Sequence, residues 1–347
     1  MAYRIFIGLI LNLIISLSSW ADVIEFKPSH PARHVVVKGD TLWGISAKFL
    51  KNPWQWPHVW QHNGQIKNPH LIYPGDVISL CLIDSQPKLC VNSKHADNGR
   101  VLYPHMRLDE TGEAISMIPI EAIAPYLSSP KVVTQDELDN APYIIDFAGE
   151  HLIAGTGTKI YVRSILKPNH LAYTTYRPGE TFRDPDTDEI LGYEAIYVAD
   201  NVILKLGDPA TLRITNTERE VRRGDRLMPT SEDTGTLNFF PTPPKQQING
   251  TIISVLDSVH NLGQYDVIAL NKGKKDGLKK GHILSIIQKG KLVSDPFNIH
   301  KNQLVKLPDE EAGIVLVFRT FERVSYALIM HASRNIHVLD LVQTPEK

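Results

Sequence analysis

The side chains able to do covalent, metal or acid–base chemistry are thinly spread along this chain. His95, His105, His151 and His170 each stand alone, without the second ligand or the partner at short spacing that a zinc site or a general base needs. The carboxylate pairs Asp186/Asp188 and Glu310/Glu311 sit in turn-like, Pro- and Asp-rich text, where the usual roles are capping and solvation. HExxH, SxxK, a Ser-Gly-Cys transpeptidase signature and a Gly-x-Ser-x-Gly elbow are all absent. Glycosidase carboxylates need no sequence motif, so a hydrolase, or a regulator of one, with a cryptic site in the C-terminal half stands as the alternative to a binding protein. The binding protein is the better reading, and neither a metal nor a cofactor is expected. Cys81 and Cys90, in LCLIDSQPKLC, are the only two cysteines. An even count flanking a turn-like Asp-Ser-Gln-Pro predicts a local disulfide in an oxidising compartment, with two free buried thiols as the other reading. Closing a ring of that length contributes about 2.5–3 kcal/mol in the loop-entropy model.

The elements that would position any site follow from pattern and punctuation. Arg4, the apolar run Ile5–Leu17 and Ser19-Trp20-Ala21 have the order of a secretory signal, residues 1–21, giving a mature start at Asp22 and a periplasmic or extracellular location. With 347 residues, 42% of them hydrophobic, the chain can bury more than one core. A formal net charge of -1 supplies no global field for nucleic acid. After a spacer from Asp22 to Arg33, HVVVKGDTLWGISAKFL (34–50) predicts a strand over His34–Lys38, a corner at Gly39, a cap at Asp40 or Thr41 and a helix with Leu42, Ile45 and Phe49 inward. Pro53 opens a second helix carrying Trp56, Val59, Trp60 and Asn63, and a turn ending at Gly75-Asp76 leads into a strand over Val77–Leu80. All five tryptophans lie before residue 61; Trp43 and Trp60 are assigned to a core and Trp54 to the surface.

Beyond this small βααβ unit, residues 81–158 read as a mixed connector with short helices at Ile120–Leu127 and Gln135–Asp139. From 159 on, alternation dominates and predicts two small barrel-like β units, 159–237 and 248–347, separated by the Pro-rich NFFPTPPKQQ. ATLRITNTEREVRRGDRLMPT (210–230) laid on SYALIMHASRNIHVLDLVQTP (325–345) aligns Ile214 with Ile329, Arg219 with Arg334 and Asp225 with Asp340, and RPGETF (177–182) echoes KKGHIL (279–284). The fold class expected is therefore multidomain, small βααβ first and mainly β after.

VVKGDTLWGIS (36–46) and NGQIKNPHLIYPGDVI (63–78), in order and correctly separated, resemble the LysM carbohydrate-binding module. The resemblance implies a shallow groove for N-acetylglucosamine polymers such as peptidoglycan or chitin, with Gly39, Asp40, Thr41 and Leu42 facing Asn68, Pro69, His70, Leu71 and Ile72. Turn backbones there would offer paired amide donors and acceptors to acetamido groups. PYIIDFAGEHLIAGTGTKIYVR (142–163), GQYDVIALNKGKKDGLKKGHIL (263–284) and LPDEEAGIVLVFRTFERVSYALIM (307–330), behind a LysM unit, resemble the TsaP family of type IV pilus secretin-associated proteins, whose C-terminal part is similar to that of the flagellar T protein. That resemblance implies an adaptor between peptidoglycan and an outer-membrane secretin or another multimeric envelope complex, oligomeric when assembled and without nucleic-acid partners. In the last of these stretches Arg319, Glu322 and Arg323 are expected to form a solvated ion-pair cluster at a polar turn.

Overall fold

The computed structural model describes residues 24–60, 72–83, 86–92, 116–119, 123, 126, 131–149, 152–165, 170–230, 240–256, 262–295, 297 and 303–345. The signal segment 1–21, most of the helix expected at 120–127 and His95, His105 and His151 lie outside them. The chain divides into two compact units, one within residues 1–115 and one spanning Ser116–Pro345. Among the described residues no helix is long and apolar enough to cross a membrane.

The first unit runs β1 (Arg33–Val35), α1 (Leu42–Phe49), a 3-10 turn (Pro53–Gln55), α2 (Trp56–Trp60), β2 (Val77–Ile83) and β3 (Gln86–Asn92), with sheet order β1-β2-β3. Thr41 caps α1 by accepting from Gly44 N–H at 3.0 Å, a contact worth about 1 kcal/mol. Leu42, Ile45 and Phe49 then recur on one face and are fully buried with Trp56, Val59 and Ile72. Trp43 and Trp60 are core residues, and Trp54 is half-buried. The first strand stops at Val35, short of the predicted Lys38, because Asp40 Oδ2 takes the Val37 N–H at 3.0 Å and folds the chain into the corner. The expected spacer is part of this unit: Lys27 N–H donates to Phe49 O at 2.8 Å, Lys51 N–H to Glu25 O at 2.9 Å, and His30 stacks on Phe49. β2 runs on to Ile83 and turns back as β3, whose Leu89 is fully buried.

In the second unit, β4 (Lys131–Val133) and α3 (Gln135–Asn140) precede six strands: β5 (Tyr143–Phe147), β6 (Lys159–Arg163), β7 (Ala172–Arg183), β8 (Ile190–Lys205), β9 (Ala210–Thr217) and β10 (Arg226–Pro229). A capping box between Thr134 and Glu137 starts α3. Because β8 pairs with β7 over most of its length and with β9 over its last half, the ladder β8-β7-β10-β5-β6-β9 returns to β8 and closes. The first barrel thus begins at Tyr143, inside the segment 81–158 expected to be connector; β5 is needed to close the ring. A second closed barrel, β11-β12-β17-β16-β13-β18, uses β11 (Asn249–Leu256), β12 (Val267–Leu270), β13 (Ile283–Gln288), β16 (Glu310–Thr320), β17 (Ser325–Ala332) and β18 (Leu341–Gln343). A hairpin of β14 (Leu292–Asp295) and β15 (Gln303–Lys306) is inserted between β13 and β16.

Both barrels have one strand order, first-second-fifth-fourth-third-sixth. Four of their register shifts coincide, while the β7–β8 pair has two more in its distal half, at Pro178/Thr181 and Phe182/Arg183. A bulge between Ile144 and Asp146 is matched by one between Ile252 and Ser254, Thr175/Tyr176 by Ile286/Ile287, Asp200/Asn201 by Ile314/Val315, and Ile203/Lys205 by Val317/Arg319. Bulges re-aim a strand and are kept where closure depends on them. The 210–230 alignment on 325–345 lies in register with this equivalence, since β9 falls on β17 and β10 on β18. The RPGETF/KKGHIL echo does not: β10 and β18 place Tyr176 opposite Arg226 and Ile287 opposite Leu341, so Tyr176 corresponds to Ile287 and lies well out of that register.

Inside each barrel the inward residues form the core, Ile160, Val162, Leu212 and Ile214 in the first and Ile268, Leu270, Val315 and Ile329 in the second. Leu316, Phe318, Leu328 and Met330 on the outer face of β16 and β17 are buried as well, which is why GIVLVF and YALIM read as unbroken apolar runs. The Pro-rich segment 240–247 does not hang free: Thr242 bridges His282 in parallel, and Pro241 and Pro244 are buried. Arg319, Glu322 and Arg323 do not gather into the expected cluster. Arg319 donates to Tyr126 O at 3.0 Å, while Arg323 reaches Glu189 at the tip of the β7–β8 hairpin through two bonds of 2.6 and 2.7 Å. Beside it Asn271 donates to Asp184 at 2.9 Å, so the tip of the first barrel's long hairpin is latched onto the second barrel.

Candidate functional site

β1 and β2 are antiparallel, with His34 opposite Ile78, and the pairing continues as Val36 N–H donates to Asp76 O and Gly75 N–H to Val36 O, each at 2.8 Å. The turn that leaves β1 and the turn that enters β2 therefore open at the same end of the sheet. Gly75 has φ +98, and Asp76 closes its turn by accepting from Tyr73 N–H at 2.9 Å. On the other turn Gly39 has φ +94 and is exposed, with no described atom within 4 Å of where a Cβ would stand. The positive φ demands glycine, and the absent side chain leaves the peptide edge open to a ligand.

Asp40 and Thr41 divide the work the sequence left undecided. Thr41 is the helix cap, whereas Asp40 Oδ2 accepts from Val37 N–H and from His34 Nε2 at 2.8 Å, with Lys48 Nζ at 3.8 Å from Oδ1. Partial burial pushes the Asp40 carboxyl upward, but the Val37 N–H, the His34 bond and Lys48 outweigh it and hold it below the ordinary carboxylate range. Its charge fixes the corner. Leu42 and Ile72, both placed in the groove by the resemblance, are fully buried, so only their backbones are available to a ligand. Asn68, Pro69, His70 and Leu71 lie outside the described residues.

Val35 and Val37, with 49% and 55% of their surface exposed, flank this corner and supply the apolar patch that the buried leucine does not. Neither they nor the His34–Lys48 support of Asp40 were singled out from sequence. The available signal was the HVVV run itself, which offers more valines than one buried face can hold. Across the hairpin, Cys81 and Cys90 are joined by a disulfide; Cys90 lies opposite Ser79 and Cys81 opposite Lys88, so the bridge runs diagonally on one face.

Among the described residues the site has no buried carboxylate pair and no cluster able to hold a metal ion. It is a small rim of turn peptides with apolar flanks, the make-up of a binding module. The LysM domain family matches residues 34–80, and LysM domains bind the N-acetylglucosamine glycans of peptidoglycan. The chain thus contains a LysM domain, enlarged here by the segment before β1 and by the disulfide-linked β3. No curated protein matches the chain.

Proposed function

We propose that this protein is a non-enzymatic periplasmic adaptor whose LysM domain holds peptidoglycan while its double barrel docks on a multimeric envelope machine, the type IV pilus secretin. The observation that carries the reading is one LysM domain joined in a single chain to two barrels of identical strand order. The resemblance of the 142–163, 263–284 and 307–330 stretches to secretin-associated proteins supports the choice of partner. A single LysM domain holds its polymer weakly; copies arrayed around an oligomeric partner gain avidity without any new contact.

Purified protein mixed with isolated sacculi tests the first half. Co-sedimentation with unchanged turbidity is expected, and clearing of the suspension at catalytic protein concentrations would overturn the non-enzymatic reading. Crosslinking in intact cells followed by purification of the full chain tests the second half. A secretin among the bound proteins is the expected result; its absence from a strain that makes the secretin would remove that partner.

A further inference from the structure

The latch between the barrels has a counterpart that none of the described residues occupies. The register places the distal half of the β7–β8 hairpin in correspondence with β14–β15: Arg183 pairs with Ile190 in the first barrel, Ser294 with Leu304 in the second. In the first barrel this hairpin buries Phe182 and Leu191, carries β4 along its edge through the pairing of Lys131 with Ala195, and latches by its tip onto the second barrel. In the second barrel the same hairpin carries no added strand among the described residues. It exposes Leu292 and Leu304 on one face, by 64% and 62%, and Val293 and Val305 on the other. A two-stranded hairpin apolar on both faces is poorly stable in water and marks a contact surface.

The receiving end is also duplicated. On the second barrel the latch is taken by Asn271, just after its second strand, and Arg323, in the turn between its fourth and fifth strands. The same positions on the first barrel fall at Arg163 and Asp208, which pair at 2.7 Å, and that end exposes Leu171, Leu204 and Leu206. Among the described residues, an apolar hairpin without a seat and an apolar seat without a hairpin therefore stand on the two barrels of one chain. We infer that the β14–β15 hairpin of one copy docks on the Leu171/Leu204/Leu206 end of the first barrel of a second copy, so that chains join head to tail by repeating the in-chain latch. Such a heterologous contact closes into a ring or runs on as a filament. It requires neither glycan nor any other protein, so it stands or falls apart from the proposed function.

The test uses two single-site chains, Leu304→Cys and Leu206→Cys, both at exposed positions; the native cysteines are already bonded to each other. Mild oxidation of the mixture is expected to give a crosslinked pair in at least tenfold excess over either chain alone. Equal crosslinking of Leu304→Cys by itself would mean a symmetric hairpin-to-hairpin contact and would overturn the proposal. So would the lack of any crosslink together with monomer mass in sedimentation up to the millimolar range. A second variant, Leu292→Ser with Leu304→Ser, should lose self-association with its thermal midpoint unchanged; persistence of assembly in that variant would also overturn it.

Discussion

Asp225 and Asp340 occupy one position in the two barrels, and the structure predicts opposite consequences for the same substitution. Each closes the turn before the sixth strand by accepting a backbone N–H three residues upstream, Arg222 to Asp225 and His337 to Asp340, both at 2.8 Å. Asp225, with a side chain 4% exposed, also receives two bonds from Arg177 at 2.9 and 2.8 Å. Asp340 instead faces the half-exposed His337 ring at 3.8 Å, and burial, outweighing the His337 N–H and the His337 and Lys289 charges, raises its carboxyl above the ordinary value. Asp225→Asn keeps the shape and the turn but leaves a guanidinium facing a neutral amide. Charge-assisted bonds carry about 1.5–3 kcal/mol, and Arg177 retains enough exposure to rehydrate, so the loss is about 2–3 kcal/mol. For a unit the size of Ser116–Pro345 that lowers the midpoint by roughly 4–12 °C.

Asp340→Asn removes a charge the fold disfavours. A carboxyl whose folded pKa is raised contributes stability that is complete below its unfolded value and is lost as pH rises through the folded one. The Asn variant should therefore match the parent in acid and exceed it slightly at neutral pH. Far-UV circular dichroism follows the barrels. Tryptophan fluorescence, confined to residues before 61, follows the LysM domain and should not move in either variant. Equal losses for the two Asn variants at neutral pH would refute the reasoning.

Three further outcomes follow from the same geometry. Leu42→Ala should cost about 2–4 kcal/mol and lower the fluorescence-detected midpoint, because Leu42 is core; Gly39→Ala, strained by about 1–2 kcal/mol at φ +94 on an exposed rim, should weaken sacculus co-sedimentation with a smaller shift of that midpoint. Replacing both Cys81 and Cys90 by serine should lower the LysM domain's stability in urea by about 2.5–3 kcal/mol, and an unchanged midpoint would rule the bridge out as a stabilising element. Glu189, lowered chiefly by its bonds to Arg323, and Asp184, lowered where burial is outweighed by its turn N–H groups and Asn271, contribute above the ordinary carboxylate range and lose that contribution as pH falls through their depressed values; hydrogen exchange at the hairpin tip should rise there, and already at neutral pH in Arg323→Met.

The LysM domain was legible because its signals are local: a glycine at a left-handed corner, a threonine three residues before a backbone donor, leucines and isoleucines at helical spacing. Its added edges were not. The segment before β1 pairs with residues around Phe49, and β3 pairs with β2 in text that resembles any short hairpin. The barrels were legible as β and as a repeat only where equivalent strands kept matching residues, Ile214 with Ile329 and Asp225 with Asp340. Tyr176 and Ile287 share a backbone position but no side-chain type, and a bulge has no residue signature at all, so the third strands could not be matched by reading. The latch was hidden for another reason. Asp184 and Glu189 have the composition of a solvated turn, and only closure of both barrels brings Asn271 and Arg323 to meet them.

The order β1-β2-β3 and the bridge between Cys81 and Cys90 determine how the LysM domain would bear a pull. A chain held at its glycan rim and loaded from its C-terminal half is tugged at the end of β3, where Asn92 lies opposite Val77. From there β3 would peel away one residue pair at a time, the weakest way to separate a pair of strands. Cys90 stands two residues in, and at that point the load crosses covalently to Cys81 in the middle strand of the sheet. For load held on the Gly39–Leu42 side of the rim, further movement slides β2 along β1, breaking the Arg33–Val35 pairs together instead of in sequence. The bridge converts an unzipping joint into a shearing one, which suits a small domain to serve as a tether.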